Sequence, residues 1–367
     1  MGPLAPYSCL ESSPLLEPLA VNLLEVHLWH WFAFGLLVVV LLALDLFVFH
    51  RNAHAPSLAE SAGWSGFWIT LALAFNAFVF WWGYEVHGNF EAGSAFLTGF
   101  LVEKALSVDN LFVFLVIFRF FRIPLKYQYR ILFWGVLGAI VMRLVFILAG
   151  VSLIRAFDWV MPLFGLFLVY TAYKLARSEE SEVHPEKNFF LRTARRFLRV
   201  TRDDHGQRFF ARENGRLSIT PLFLVLLVIE STDVLFAVDS VPAILGISQD
   251  PFIVFTSNIF AIMGLRALYF LLAGVLDRFR YLHYGLSAVL GFIGVKMIAE
   301  FGAEHFGWAG GRVVPTWVSL LVVGSLLAVS IMASLIATRR EKARENGGQE
   351  PDAADWEAEI EKRVPLD

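Results

Sequence analysis

Nine stretches of about twenty apolar residues, separated by polar segments, run through this chain and decide what it can fold into. A bilayer core of roughly 30 Å is crossed by about 20 residues of helix. Runs of this length predict a bundle of transmembrane helices. The chain is 57% hydrophobic and only 17% charged, against roughly 25% charge in an ordinary soluble domain. A soluble enzyme is excluded on that ground.

The stretches predict helices over 27–49, 64–83, 94–118, 131–150, 157–175, 219–246, 253–274, 284–300 and 316–337. The polar segments alternate sharply in basic residues. Eleven Lys and Arg fall within 174–216, whereas the whole opposite set of segments holds only Arg155 and Arg312. The positive-inside rule then puts the N-terminus outside and the C-terminus in the cytoplasm. The N-terminus has no basic residue before the first apolar run and is broken by Pro3, Pro6, Pro14 and Pro18, so it is not read as a signal peptide. With Cys9 the only cysteine, no intrachain disulfide and no redox pair can form.

The organisation that follows is an exported tail over 1–26, peripheral helices over 27–93, and a first three-helix unit over 94–175. A basic cytoplasmic loop covers 176–218, a second three-helix unit 219–300, a ninth helix 301–337, and a cytoplasmic tail 338–367 with a short helix near Trp356. Within the loop, 187–216 is rich in Arg with interleaved Phe and Leu. It reads as a solvated linker or as a short interfacial helix contacting anionic lipid or a protein partner. Nothing points to nucleic acid.

The two three-helix units are related. Glu103-Lys-Ala-Leu-Ser-Val-Asp109-Asn110 matches Asp233-Val-Leu-Phe-Ala-Val-Asp239-Ser240: an acid, five residues, a second acid, then a small polar residue. Ala139-Ile-Val-Met-Arg143 matches Ala261-Ile-Met-Gly-Leu-Arg266, and the segment from Gly165 to Lys174 resembles that from Gly285 to Lys296. Three is odd, so the second unit enters the membrane from the opposite side, which makes an inverted-topology repeat of the kind that builds many secondary transporters.

Six acids lie inside the apolar stretches: Asp45, Glu103, Asp109, Glu230, Asp233 and Asp239. Each charge near the bilayer centre costs roughly 2.5–3.5 kcal/mol on insertion scales. Lys104, Arg143 and Arg266 can neutralise half of them. The remainder must be protonated or bind a cation. Asn110, Ser107, Ser231, Thr232 and Ser240 surround the acids, and no His lies in the middle of a stretch. An oxygen-only donor set suits Mn²⁺, Mg²⁺ or Ca²⁺ rather than Cu⁺ or Zn²⁺.

Geometry restricts this set. Glu103 and Asp109 stand about 120° apart around a straight helix, so a regular helix cannot aim both at one ion. Pro242 is expected to break the sixth helix and free the carbonyl of Val238 beside Asp239. Thr220-Pro221 reads as N-cap and first residue of that helix. Asp45 taken alone reads more readily as the partner of a buried base than as a ligand. Arg143 and Arg266 read as charge partners or lid elements, and Asn76 and Asn258 as interhelical hydrogen bonds.

On these residues the sequence closely resembles the TerC family of bacterial membrane proteins, which includes the Alx type. The matching stretches are 103–114, 220–230, 233–243 and 249–258, with Leu44-Asp-Leu46 and Phe49-His-Arg51 in the first helix; the likeness covers roughly 27–337. The resemblance implies membership of the lysine-exporter-like superfamily, manganese export in the Alx branch, and a link to tellurium resistance. It also implies a metal site at Glu103, Asp109, Asn110, Glu230, Asp233, Asp239 and Ser240. Asp45, Ser107, Thr232, Val238, Arg143 and Arg266 are accessory to it. The expectation is an all-α inner-membrane protein of about nine helices that exports Mn²⁺ in exchange for protons. It is not an enzyme and has no cofactor. The rival expectation is a membrane scaffold for a tellurite or metal stress-response complex.

Overall fold

The computed structural model describes residues 24, 26–47, 57–177, 201, 208–213, 216–273, 281–306 and 313–347. Among the described residues there are ten helices: α1 (Leu28–Phe47), α2 (Leu58–His87), α3 (Glu91–Phe120), α4 (Leu125–Ala156), α5 (Val160–Arg177), α6 (Pro221–Leu245), α7 (Pro251–Met263), α8 (Leu265–Ala273), α9 (Leu282–Phe306) and α10 (Thr316–Gly347). A helix stands over each of the nine apolar stretches, the seventh being divided between α7 and α8. Six of these helices are long and apolar enough to cross a bilayer, or seven if the bent α7–α8 pair is one span. Helix α3 fails that test because Glu103, Lys104 and Asp109 interrupt its middle, and α5 is only 18 residues long and ends on Lys174 and Arg177.

The outer surface is that of a membrane protein. In α1, Phe34, Val38, Leu41 and Asp45 share one buried face at helical spacing, whereas Phe32 and Leu36 on the other side are 76% and 66% exposed. Large apolar side chains turned outward gain nothing from water, and the solvent that suits them is lipid.

The helix ends follow local sequence rules. Ser57 and Glu60 form a capping box at the start of α2. Asp250 accepts from the backbone N–H of Phe252 (2.9 Å) and Ile253 (3.2 Å), and Pro251 occupies the first position of α7. Thr220 does stand at the N-cap of α6 ahead of Pro221, but its hydroxyl donates to the carbonyl of Arg208 (2.7 Å) instead of capping the helix.

Three expectations need correction. Part of the basic loop is neither helix nor linker: β1 (Phe210–Glu213) and β2 (Arg216–Ile219) form an antiparallel hairpin in which Glu213 pairs with Arg216. The two intervening residues are Asn214 and Gly215, the dipeptide that most favours a two-residue hairpin connection. The break expected at Pro242 does not occur, because α6 runs unbroken through it; Pro242 lies in the last turn, where a missing N–H disturbs little. The break is at Gly264, where α7 and α8 meet at 41°. Finally, the helix over 316–337 continues to Gly347, into the expected tail. The short helix near Trp356 and residues 187–200 of the basic loop lie outside the described residues.

Helix α3 packs on α6, α7 and α2; α4 packs on α6, α7 and α8; α5 lies along α9; and α10 covers α3 and α9. The apolar interior is divided in two. One core gathers Phe96, Phe100, Ile147, Val241 and Ile244 with residues of α1, α2, α7 and α9. The other gathers Leu111, Phe118, Ile131, Val225 and Tyr269 at the opposite ends of α3, α4, α6 and α8. Between the two, near the midpoints of α3, α4 and α6, lies a polar layer.

Candidate functional site

The polar layer is built from residues at helical spacing. On α3, Glu103, Ser107 and Asn110 follow one another at four and three residues, so they share a face. On α6, Asp233 and Ser240 stand seven residues apart, again on one face. All five are buried. From α4, Arg143 enters between the acids. Its guanidinium lies 2.5 Å from the Glu103 carboxylate, with both side chains 1% exposed, and donates to Asn258 Oδ1 of α7 at 2.6 Å. Asp233 is within charge–charge range of both Arg143 and Glu103. Asn258 is held in turn by its amide, which donates to the carbonyl of Val254 at 2.8 Å.

Glu230 lies one turn before Asp233 and interacts with it electrostatically. Its carboxylate is pressed against Gly138 of α4, where any Cβ would overlap the carboxylate oxygens. Gly138 therefore lets a charged group lie directly on a neighbouring helix. Thr232 is buried, and its hydroxyl donates to the carbonyl of Val228 at 2.7 Å.

Several buried oxygens in this layer have no hydrogen-bond partner: Ser107 Oγ, Ser240 Oγ, Asp233 Oδ2 and both Glu103 oxygens, the last held only by the ion pair. Such atoms are costly in an apolar medium. Their concentration at the α3–α6 crossing marks a place prepared for a polar occupant. Their oxygen chemistry fits a hard cation or protons.

The remaining expected ligands stand elsewhere. Asp109 and Asp239 are half-buried on other faces of their helices. Asp109 interacts with His283 at the start of α9, and Asp239 with Lys174 near the end of α5. The Val238 side chain is exposed, on the outside of α6. Asp45 pairs with Arg266, whose guanidinium also stacks 4.6 Å from the Tyr129 ring and 5.2 Å from the Phe133 ring. This is the charge-partner alternative weighed for Asp45. Among the described residues, no three His, Cys, Asp or Glu side chains converge closely enough to hold a metal.

Lys104, expected as a base that neutralises an acid, also bonds to the backbone, and Gly264 beside it had no expected role. Lys104 donates to the carbonyl of Ala261 at 2.9 Å, at the point where the α7–α8 bend leaves that carbonyl without a helical partner. A cation at a helix C-terminus also complements the helix dipole. Gly264 makes the approach feasible, since a Cβ there would stand 3.0 Å from both Lys104 Nζ and Trp68 Cβ. The only sequence signals for the bend were Gly264 itself and the one-residue excess between Ala261 and Arg266 relative to Ala139 and Arg143.

Lipid-facing helices around a charged middle layer define a multi-pass integral membrane protein. Residues 89–342 match the family described as Integral membrane protein TerC family, and the chain belongs to that family. It is 49% identical over 310 residues to the membrane protein STKORF319 of Myxococcus xanthus, covering 84% of this chain and 92% of that one. Over 320 residues it is 46% identical to a protein of Escherichia coli K12 provisionally named membrane-bound redox modulator Alx, with 86% and 97% covered. A membrane protein of Rickettsia bellii is 38% identical over 308 residues, with 83% and 97% covered. No solved structure matches the chain.

Proposed function

We propose that the protein is a secondary transporter that moves a hard divalent cation, Mn²⁺ foremost, out of the cytoplasm in exchange for protons. The observation that carries this reading is the polar layer between two apolar cores, with Glu103 and Asp233 contributed from corresponding positions of two related helices and flanking one arginine. A scaffold has no need of unpartnered carboxylate oxygen at mid-helix. A carrier needs sites that are alternately charged and neutralised.

In this reading nine helices cross the inner membrane, and α3–α5 and α6–α9 are inverted copies in the manner of the lysine-exporter-like superfamily. The packing supports it. Exchanging α3 with α6, α4 with α7–α8, and α5 with α9 converts the α3–α7 contact into α6–α4 and the α5–α6 contact into α9–α3, and all four contacts exist. The N-terminus lies outside and the C-terminus in the cytoplasm, as the basic residues dictate.

The ligand set is Glu103, Asp109, Asn110, Glu230, Asp233, Asp239 and Ser240. Glu103 and Asp233 lie in the polar layer with Glu230 one turn away, and Asp109 and Asp239, on other faces of the same two helices, would join them only once the helices turn. The E. coli relative's name speaks of redox modulation. With Cys9 its only cysteine, this chain cannot act through an internal dithiol, whereas control of a metal level would alter cellular redox state indirectly.

The test is Mn²⁺ flux in proteoliposomes at matched reconstitution. Wild-type protein is expected to move the ion. Glu103→Gln, Asp233→Asn, Asp109→Asn and Asp239→Asn should each reduce flux at least tenfold, the effect of losing about 1.4 kcal/mol of interaction. Wild-type rates in the Asp233→Asn and Glu103→Gln chains would remove the polar layer from the mechanism.

A further inference from the structure

The corner between α3 and α4 holds a second feature, away from the polar layer. A cavity of about 250 Å³ opens there, lined by Arg119, Arg122, Phe118, Leu125, Gln128 and Tyr269 among others. Its floor is fixed: Tyr269 donates to Gln128 Oε1 at 2.8 Å, and Gln128 Nε2 donates to the carbonyl of Ile123 at 2.8 Å. Among the described residues of the lining, with those groups engaged, the remaining polar groups are the two guanidinium groups. Among the described residues no carboxylate lines the cavity and neither arginine forms an ion pair.

The backbone adds an independent observation. Arg122 is the one described non-glycine residue with positive φ, at 52°. It occupies the position after the α3 C-cap in a Schellman turn: Ile123 N–H donates to the carbonyl of Phe118 at 3.0 Å, and Arg122 N–H to that of Arg119 at 3.1 Å. Glycine is the usual residue there because side chains disfavour the left-handed region. Complementing the helix dipole does not require Arg122, since Arg119 already lies in the last turn. A non-glycine residue held in the left-handed region at a cavity mouth points to a functional constraint. Here the feature it supplies is a second guanidinium.

We infer that this cavity binds the phosphate of an anionic phospholipid, with Arg119 and Arg122 gripping the headgroup and Phe118 and Leu125 lying along the adjoining acyl chain. Guanidinium forks match phosphate oxygens in geometry and charge. The corner lies at the end of α3 from which the basic side chains project, where basic pockets between membrane helices meet headgroups. The apolar half of the lining favours a lipid over a free ion.

The experiment uses the full chain in neutral detergent and reads bound lipid by native mass spectrometry and unfolding temperature by fluorescence. Phosphatidylglycerol, phosphatidylcholine and inorganic phosphate are compared. Phosphatidylglycerol is expected to bind and raise the unfolding temperature, with the other two giving little. Arg119→Gln and Arg122→Gln should each weaken that binding about tenfold, as the loss of one charge-assisted contact does. Arg122→Gly is the sharper variant. It relieves the turn, so without lipid it should unfold no earlier than wild type, and yet it should lose the phosphatidylglycerol effect. Wild-type lipid binding by Arg122→Gly, or an equal shift from inorganic phosphate alone, overturns the assignment.

Discussion

Arg143 occupies the most demanding position in the molecule, fully buried between an acid of its own three-helix unit and an amide of the other. A guanidinium in such a place is tolerable only while its partners remain charged and in reach. Glu103 alone meets the first condition at contact distance, and Asn258 fixes the angle. Removing one partner leaves the other as an uncompensated buried charge, at a cost of about 3–5 kcal/mol. Arg143→Gln is therefore expected to lower the unfolding temperature sharply in detergent. Pairing it with Glu103→Gln should restore most of the loss, because the two neutral amides can bond to each other. A double variant as unstable as the single one would mean that Arg143 supports the fold by its volume rather than its charge. Its counterpart Arg266 lives differently, with Asp45 from outside the repeats and two aromatic rings of α4 around it. The identity of both arginines and of Asp45 as buried ions was legible in the sequence, because a charge in an apolar stretch is rare enough to stand out. Which acid each arginine takes was not, since that depends on which helices become neighbours.

At the scale of elements, the bend between α7 and α8 is the feature the sequence concealed. Proline advertises a break, and Pro242 attracted the expectation, yet its place in a final turn made it harmless. The bend falls at Gly264, where Trp68 of α2 and Lys104 of α3 approach so closely that a Cβ would stand 3.0 Å from each and oblige them to shift. That is a tertiary fact carried by residues some 160–200 positions away in the chain, which no local pattern encodes. Helix positions, by contrast, were readable from apolar length alone to within about six residues at every end but the last, where α10 runs ten residues further, and so was the common face of Glu103, Ser107 and Asn110 from their spacing. The hairpin of β1 and β2 was also readable in principle from Asn214-Gly215, but the surrounding arginines drew attention to charge instead. The Lys104 contact gives a prediction at this scale. Lys104→Met keeps the volume and removes the donor, leaving the Ala261 carbonyl buried without a partner, which costs about 1–3 kcal/mol. Gly264→Ala should cost a similar amount, about 1–3 kcal/mol of overpacking. Chemical unfolding in detergent measures both. If the two substitutions prove neutral, the bend is set by packing elsewhere along α2 and not by this contact.

At the scale of the whole molecule, the arrangement of charge bears on how an exporter could be driven. Moving a divalent cation out of a cell with a negative interior is uphill by roughly 2.3 kcal/mol per charge per 100 mV. The chain has no G-x-x-x-x-G-K-[ST] motif to bring nucleotide energy, so in the proposed mechanism the energy comes from another gradient. The acids within the helices outnumber the bases beside them. Arg143 satisfies Glu103, and Arg266 satisfies Asp45. Lys104 is engaged by a backbone carbonyl. Glu230 has no base facing it, Asp233 shares Arg143 with Glu103, and Asp109 and Asp239 have only the more distant His283 and Lys174; in the proposed mechanism a metal ion or protons neutralise these carboxylates, and the two compete for the same oxygens. Competition of this kind is what an antiporter requires: the metal-free site must take up protons before it returns, or it returns as an uncompensated charge in lipid. Proteoliposomes loaded with Mn²⁺ and given a pH gradient should therefore show metal flux accelerated against its own gradient, with proton movement of opposite direction recorded by an enclosed dye. The Asp233→Asn chain should lose both together, because one carboxylate serves both ions. Metal flux that ignores the pH gradient and follows membrane potential alone would make the protein a uniporter and leave its surplus carboxylates to selectivity rather than coupling.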